Sequence, residues 1–125
     1  MTDSDASQQN GLSNGVSLLE KKCVPCEGGT MPLTIQEAGK FMNEVNGWTL
    51  SSDARRITKE FAFKDFAQAL AFANKVGAIA EDEGHHPDLV VKWGKVVVEL
   101  STHSIGGLSE NDFILAAKID AIPVV

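Results

Sequence analysis

The chain has 125 residues, with 11 Lys and Arg against 17 Asp and Glu, so its formal net charge is −6. This length is typical of one domain. An acidic chain without a basic run is a poor binder of nucleic-acid phosphates, and no stretch approaches the ~18 apolar residues of a membrane span. The first residues lack a secretory signal and the chain has two cysteines, so we expect a cytoplasmic protein without a disulfide framework.

Residues 1–22 are mostly small and polar, a composition that buries too little surface to offset the entropy of ordering. We therefore expect a disordered tail over residues 1–22 and a single domain over residues 23–125. The domain begins with a CxxC pair, Cys23 and Cys26. One such pair is a weak metal signal, because a structural zinc needs four ligands, and the strand–helix setting of a redox pair is missing.

Capping residues delimit the predicted helices. Thr34 and Glu37 form a capping box for a helix over residues 34–45, which Asn46-Gly47 ends. Strands are predicted at Trp48–Leu50 and Ile57–Phe63. A longer helix begins after Asp65 and stops at Gly84. Its predicted apolar stripe consists of Phe66, Ala69, Leu70, Ala73, Val76, Gly77 and Ala80.

The second half of the chain predicts a β-hairpin and a final helix. Leu89–Val91 and Val96–Leu100 flank a two-residue turn at Trp93-Gly94, and Ser109 caps the last helix. The order is helix, two strands, helix, two strands, helix. Because the strands come in adjacent pairs, we predict an α+β fold with a four-stranded antiparallel sheet and three helices packed on one face.

The predicted hairpin brings the histidines His85, His86 and His103 together. A two-residue turn pairs Lys92 with Lys95 and Leu89 with Val98. Continued outward, the same register sets Pro87 opposite Leu100, His86 opposite Ser101 and Gly84 opposite His103. Diagonal neighbours on a sheet lie ~7–8 Å apart, within reach of imidazole rings. We therefore expect the three histidines to line one cleft.

An acidic run supports a site at this place. Glu81, Asp82 and Glu83 lie at the helix C-terminus, where the helix dipole favours cations. Departures from such local sequence preferences are most often found at functional positions. A carboxylate beside an imidazole also favours the protonated ring and fixes its tautomer. Simpler interpretations stay open. In these, the acidic run is only solvated surface, a histidine is only a helix cap, and Asp112 only completes a capping box with Ser109.

These residues have the spacing of a known signature. It consists of Glu81, three residues, His85-His86-Pro87, five residues, Trp93, nine residues, His103, eight residues and Asp112. This pattern resembles the signature of the pterin-4a-carbinolamine dehydratases. The segments Phe72-Ala73-Asn74-Lys75-Val76 and Ser101-Thr102-His103 are also similar to the family, and the resemblance runs from about Cys23 to Asp120.

The resemblance implies four antiparallel strands backed by three helices, in homodimers or homotetramers. It also implies a hydro-lyase, a 4a-hydroxytetrahydrobiopterin dehydratase, that converts 4a-hydroxytetrahydropterin to quinonoid dihydropterin and water. This reaction recycles the tetrahydrobiopterin used by aromatic amino acid hydroxylases, so a functional link to such a hydroxylase is implied. No cofactor and no metal are implied.

The resemblance also suggests roles for the matching residues. His85 and His103 would be an acid–base pair, because histidine's pKa of ~6.5 suits a site that gives and takes protons near neutral pH. His86 would hold the pterin. The residues expected to orient the imidazoles or to shape the cleft are Glu81, Asp112, Pro87 and Trp93.

Two other functions are compatible with the sequence. The family resemblance also allows a protein-interaction module that acts as a dimerisation partner of a transcription regulator, using its helical surface. The histidines and a carboxylate also allow a metal-dependent hydrolase, since imidazole is a common zinc ligand.

Overall fold

The computed structural model describes residues 17–25 and 29–123. Its helices are α1 (Ile35–Met42), α2 (Phe66–Glu83) and α3 (Glu110–Asp120), and its strands are β1 (Thr49–Leu50), β2 (Ile57–Ala62), β3 (Asp88–Lys92) and β4 (Lys95–Leu100). Short 3-10 turns lie at Leu18–Glu20 and His103–Ile105. The predicted order of helices and strands is confirmed, although α1 ends at Met42, earlier than predicted.

The four strands form one antiparallel sheet in the order β1-β2-β4-β3. The hairpin register is confirmed from Lys92↔Lys95 through Leu89↔Val98, and the ladder ends at Asp88↔Glu99. Because β4 lies between β2 and β3, it forms the rigid centre on which the histidine end of the hairpin is built.

The core lies on one face of this sheet. Val96, Val98 and Leu100 alternate along β4 and are fully buried, α2 packs against β3 and β4, and the buried Phe113 of α3 belongs to the same core cluster. The opposite face is open, with the side chain of Val90 half exposed. This is the predicted α+β arrangement, with the three helices packed on one face.

Helix α2 buries most of the predicted apolar stripe, at Ala69, Ala73, Val76 and Ala80, but two large side chains of that stripe lie outside the core. Phe66 and Leu70 are 46% and 42% exposed, whereas Phe72 is buried. The reason is aromatic packing, because the Phe72 ring lies 4.6 Å from that of Phe61 and 5.0 Å from that of Phe63. Neither α2 nor any other helix in the described ranges has the length and apolarity needed to cross a membrane.

The expected N-terminal tail differs from the structure at residues 17–22. Leu18 is only 3% exposed and packs in the core, and Leu18–Glu20 forms a 3-10 turn. Composition did not reveal the contacts with α3, where Lys118 donates to the Leu19 carbonyl oxygen and Glu110 pairs with Lys21. Residues 1–16 of the expected tail, and Cys26, lie outside the described residues.

The hairpin ladder does not continue to the histidines as predicted. Pro87 does not pair with Leu100, because proline has no N–H to donate; Leu100 pairs only with Ile57, on the β2 side of the central strand β4. The predicted pairs His86–Ser101 and Gly84–His103 are likewise absent from the ladder. Beyond β4, Thr102 forms an isolated bridge with Gly107, and His103 enters a 3-10 turn.

Candidate active site

The end of α2 directs two histidines away from the helix. Gly84 adopts the left-handed conformation (φ 67°), and both its N–H and that of His85 donate to the carbonyl of Ala80. A residue with a side chain adopts this conformation only with strain, so the glycine sets the sharp exit. The chain then passes through His86 and Pro87 into β3.

His85 is held by a buried carboxylate. Its Nε2 lies 2.6 Å from Oδ1 of Asp112, and the two side chains are 12% and 0% exposed. The other carboxylate oxygen, Oδ2, accepts hydrogen bonds from the Thr102 hydroxyl at 2.8 Å and from the Ser109 N–H at 3.0 Å. Asp112 therefore completes the capping box of α3 and pairs with His85, so the two interpretations of this residue hold together.

Thr102 is a site residue that the sequence reasoning missed. It is 4% exposed, and its hydroxyl contacts both the carboxylate of Asp112 and the hydroxyl of Ser109. The available signal was its place in Ser101-Thr102-His103, one of the segments that is similar to the family. It links the buried carboxylate to the chain that carries His103.

The other two histidines also have carboxylate partners, but at the surface. Nε2 of His86 lies 2.6 Å from Oε2 of Glu81, with side-chain exposures of 60% and 78%. Nε2 of His103 lies 3.8 Å from Oδ2 of Asp88, with exposures of 72% and 63%. A neutral imidazole that donates through Nε2 has Nδ1 left as an acceptor. Nε2 of His85 and of His86 is thus within hydrogen-bond distance of a carboxylate oxygen, whereas the 3.8 Å contact of His103 is an ion-pair distance and not a hydrogen bond.

The three pairs lie at one corner of the fold. Asp112 connects His85 to Thr102, the neighbour of His103, and Asp88 connects His103 to the strand that follows His86. Pro87, half-buried, lies in this corner between His86 and Asp88.

Trp93 lies elsewhere. It occupies the hairpin turn and is 69% exposed. The five-residue strand β3 separates it from the histidine corner, a distance of about 17 Å at ~3.3 Å per residue. Within one chain, the structure therefore does not bring Trp93 to the other predicted site residues.

The acidic run at the end of α2 divides into three different environments. Glu81 faces His86, whereas Asp82 is exposed and lies 3.7 Å from Lys22. The Glu83 side chain is 3% exposed, so the interpretation as solvated surface fails for it. Burial opposes its ionisation, but the Cys23 N–H at 2.8 Å and the ammonium of Lys118 at 3.3 Å hold the pKa of Glu83 below its usual value.

Cys23 has the environment of an unreactive thiol. Its Sγ lies 3.5 Å from the carbonyl oxygen of Asn111. Burial, together with the negative charges of Glu83 and Asp112, raises the pKa of Cys23 to about 12. Among residues 17–25 and 29–123, no group of three His, Cys, Asp or Glu side chains is placed to bind a metal ion, so the hydrolase alternative has no ligand set there.

Comparisons with known proteins agree with the geometry. A family model described as pterin 4 alpha carbinolamine dehydratase matches residues 31–122. A protein of Rickettsia bellii named putative pterin-4-alpha-carbinolamine dehydratase is 49% identical over 106 residues, covering 85% of this chain and 94% of its own length. One of the same name from Methylococcus capsulatus is 50% identical over 106 residues, covering 85% and 93%.

Two solved structures are also similar. A protein of Brucella melitensis described as a transcriptional coactivator/pterin dehydratase has a TM-score of 0.68 at 35% identity, covering 73% of this chain and 97% of its own. A pterin dehydratase-like protein identified as a RuBisCO assembly factor in the alpha-carboxysome has a TM-score of 0.52 at 27% identity, covering 61% and 88%.

Proposed function

The chain belongs to the pterin-4a-carbinolamine dehydratase family, and we propose that it removes water from 4a-hydroxytetrahydropterin by histidine acid–base catalysis. The observation that carries this proposal is the set of three imidazoles at one corner, with a carboxylate oxygen 2.6 Å from Nε2 of His85 and His86 and 3.8 Å from Nε2 of His103. The proposed natural substrate is 4a-hydroxytetrahydrobiopterin, and the product is the quinonoid dihydropterin.

The reaction needs one proton given and one taken. Hydroxide is a poor leaving group, so an acid donates a proton to the C4a hydroxyl as the C4a–O bond breaks. The lone pair of N5 forms the C4a–N5 double bond, and the cationic ring then loses a proton from a ring N–H to a base. Atoms and charge balance as substrate going to quinonoid dihydropterin plus water. Positioned proton transfer of this kind contributes ~10²–10⁴-fold to a rate.

In this proposal His85 and His103 form the acid–base pair, acting through Nδ1, and His86 holds the pterin. Asp112 fixes the His85 ring from the interior, while Glu81 orients His86 at the surface. Pro87 and Trp93 are proposed to shape the pterin cleft, and Trp93 can do so only where another copy of the chain brings it to a histidine corner.

The test is stopped-flow dehydration of the 4a-carbinolamine with His85→Ala, His86→Ala and His103→Ala, each shown to be folded by circular dichroism. We expect kcat to fall by about 10²-fold or more for His85→Ala and His103→Ala, and KM to rise for His86→Ala. Lys95→Ala, at the far end of the hairpin, is the control and should keep the wild-type rate. If all three histidine variants keep wild-type rates, the assignment is wrong.

We also propose that the chain acts as a homodimer or homotetramer in the cytoplasm, and that it serves an aromatic amino acid hydroxylase. The exposed apolar side chains Phe66, Leu70 and Trp93 support self-association, because together they present apolar surface in a single chain. Light scattering on the purified protein measures the assembly, and a monomer at working concentration would contradict this part.

A second candidate function is an interaction module that pairs with a regulator. It is favoured by the descriptions of the two solved relatives, one as a coactivator and one as an assembly factor, and by the exposed Phe66 and Leu70 on α2. The dehydration assay distinguishes the two functions. A folded wild-type protein that fails to accelerate dehydration favours the interaction role, whereas acceleration that depends on the histidines favours the enzyme.

A further inference from the structure

A segment at the start of the described chain, residues 17–25, crosses the ends of two helices next to the site. We call it the N-terminal strap. Asn111, which is 4% exposed, binds the backbone of the strap on both sides of one residue. Its Oδ1 accepts the Val24 N–H at 3.0 Å, and its Nδ2 donates to the Val24 carbonyl oxygen. This bidentate contact fixes the strap to the first turn of α3.

The strap is also fixed to the last turn of α2. Oε1 of the buried Glu83 accepts the Cys23 N–H at 2.8 Å. Lys118 lies between Glu83, at 3.3 Å, and the carbonyl oxygen of Leu19, at 3.0 Å. Buried groups of this kind are costly to leave unpaired, so the strap and the two helices hold one another in place.

The two anchors are neighbours of the proposed catalytic pair. Asn111 directly precedes Asp112, and Glu83 lies two residues before His85. The strap therefore joins the end of α2 to the start of α3. The 2.6 Å contact between His85 and Asp112 joins the same two helix ends.

We propose that the strap is a positioning element of the active site, with Asn111 and Glu83 as positioning residues. They set the spacing between the two helix ends that keeps Nε2 of His85 on the carboxylate of Asp112. The catalytic consequence rests on the proposed function, but the effect on the His85 ring does not. A misplacement of ~1 Å near a reacting group can cost ~10²-fold in rate.

The test is Asn111→Ala in the full chain, read by nitrogen-15 NMR of the imidazole rings. In the wild type we expect neutral His85 to carry its proton on Nε2. In Asn111→Ala we expect a mixture of the two tautomers at His85 and no change at His86. We also expect kcat to fall about tenfold or more with KM nearly unchanged, because the ring is displaced without losing the pterin contact.

The matched control is Asp120→Asn, at the opposite end of α3. Asp120 is also a partly buried anchor, accepting hydrogen bonds from Trp48 Nε1 at 3.0 Å and Lys59 at 2.7 Å. This variant should lower stability and leave the His85 signal unchanged, which separates positioning from general destabilisation.

An unchanged His85 signal in folded Asn111→Ala would overturn the proposal. If Asn111→Ala does not fold, Val24→Pro replaces it, because it removes the N–H that Asn111 accepts while leaving every residue of α3 unchanged, at a residue that is 63% exposed. The same two outcomes then apply. If the His85 signal responds but the wild type is no dehydratase, the strap proposal stands and the proposed function fails. If the wild type is a dehydratase but the substitution leaves the His85 signal unchanged, the strap proposal fails and the proposed function stands.

Discussion

Replacing Asp112 by asparagine tests how the buried carboxylate sets the state of His85. The side-chain shape is kept, so the amide oxygen can take the place of Oδ2 and accept from Thr102 and Ser109, as the carboxylate does at 2.8 and 3.0 Å. The amide nitrogen then faces Nε2 of His85 and donates to it. The ring must accept there, so its proton moves to Nδ1, the nitrogen proposed to exchange protons with the pterin.

The size of the effect follows from the bonds that are kept and lost. The asparagine side chain would keep two of the three hydrogen bonds that the carboxylate makes and reverse the third, but all three would lose their charged acceptor, so we expect a stability loss of about 1–3 kcal/mol. The catalytic effect is larger. A ring in the wrong tautomer loses the ~10²–10⁴-fold contribution of positioned proton transfer, and a 10²-fold loss corresponds to about 2.7 kcal/mol of activation free energy.

The assay is stopped-flow dehydration together with urea unfolding of Asp112→Asn and Asp112→Ala. The alanine variant leaves Thr102 and the Ser109 N–H without the carboxylate, so it should be less stable than the asparagine variant. We expect kcat of Asp112→Asn to fall about 10²-fold at a temperature where it is fully folded. A folded Asp112→Asn with the wild-type rate would refute the tautomer argument.

Three further predictions concern groups around the site. The pKa of Glu83 is lower in the folded than in the unfolded protein, so its ionised form stabilises the fold above the unfolded pKa, and this stability is lost as pH falls through the folded pKa. The free energy of unfolding of Glu83→Gln, measured in urea, should therefore vary less with pH in the acid range than that of the wild type. The same pH dependence in both proteins would contradict this. With a pKa of about 12 against 9.0 for an ordinary thiol, Cys23 should react with iodoacetamide about 10³-fold more slowly than a free cysteine near pH 8. Fragment-ion mass spectrometry distinguishes its label from that of Cys26, and rapid labelling at Cys23 itself would contradict this. Asp120→Ala leaves Lys59 and Trp48 without their carboxylate, so we expect a loss of about 1–3 kcal/mol in urea unfolding, and a loss within error of zero would count against that network.

Local signals predicted most of the fold. Thr34 and Asp65 cap their helices because a short side chain can accept from a free backbone N–H nearby, which requires no knowledge of the rest of the chain. The hairpin register followed from a two-residue turn and alternating apolar residues. The pairs from Lys92↔Lys95 to Leu89↔Val98 could therefore be predicted from the sequence of the hairpin alone.

Features that depend on distant contacts were not accessible in this way. The choice of Phe72 over Phe66 as a core residue depends on rings that β2 and its following loop supply. The burial of Glu83 depends on Lys118, and the order of residues 17–22 depends on α3, both far away in sequence. The partners of the histidines were only partly predictable, since Asp112 and Glu81 were candidates but Asp88, which faces His103, was not.

The central claim is that the histidine corner transfers protons to and from a 4a-hydroxytetrahydropterin. The most direct measurement compares the stopped-flow dehydration rate of the wild type with that of the double variant His85→Ala/His103→Ala, both shown to be folded. We predict that the wild type accelerates water loss and that the double variant falls close to the uncatalysed rate. A double variant that dehydrates the substrate as fast as the wild type would contradict the account.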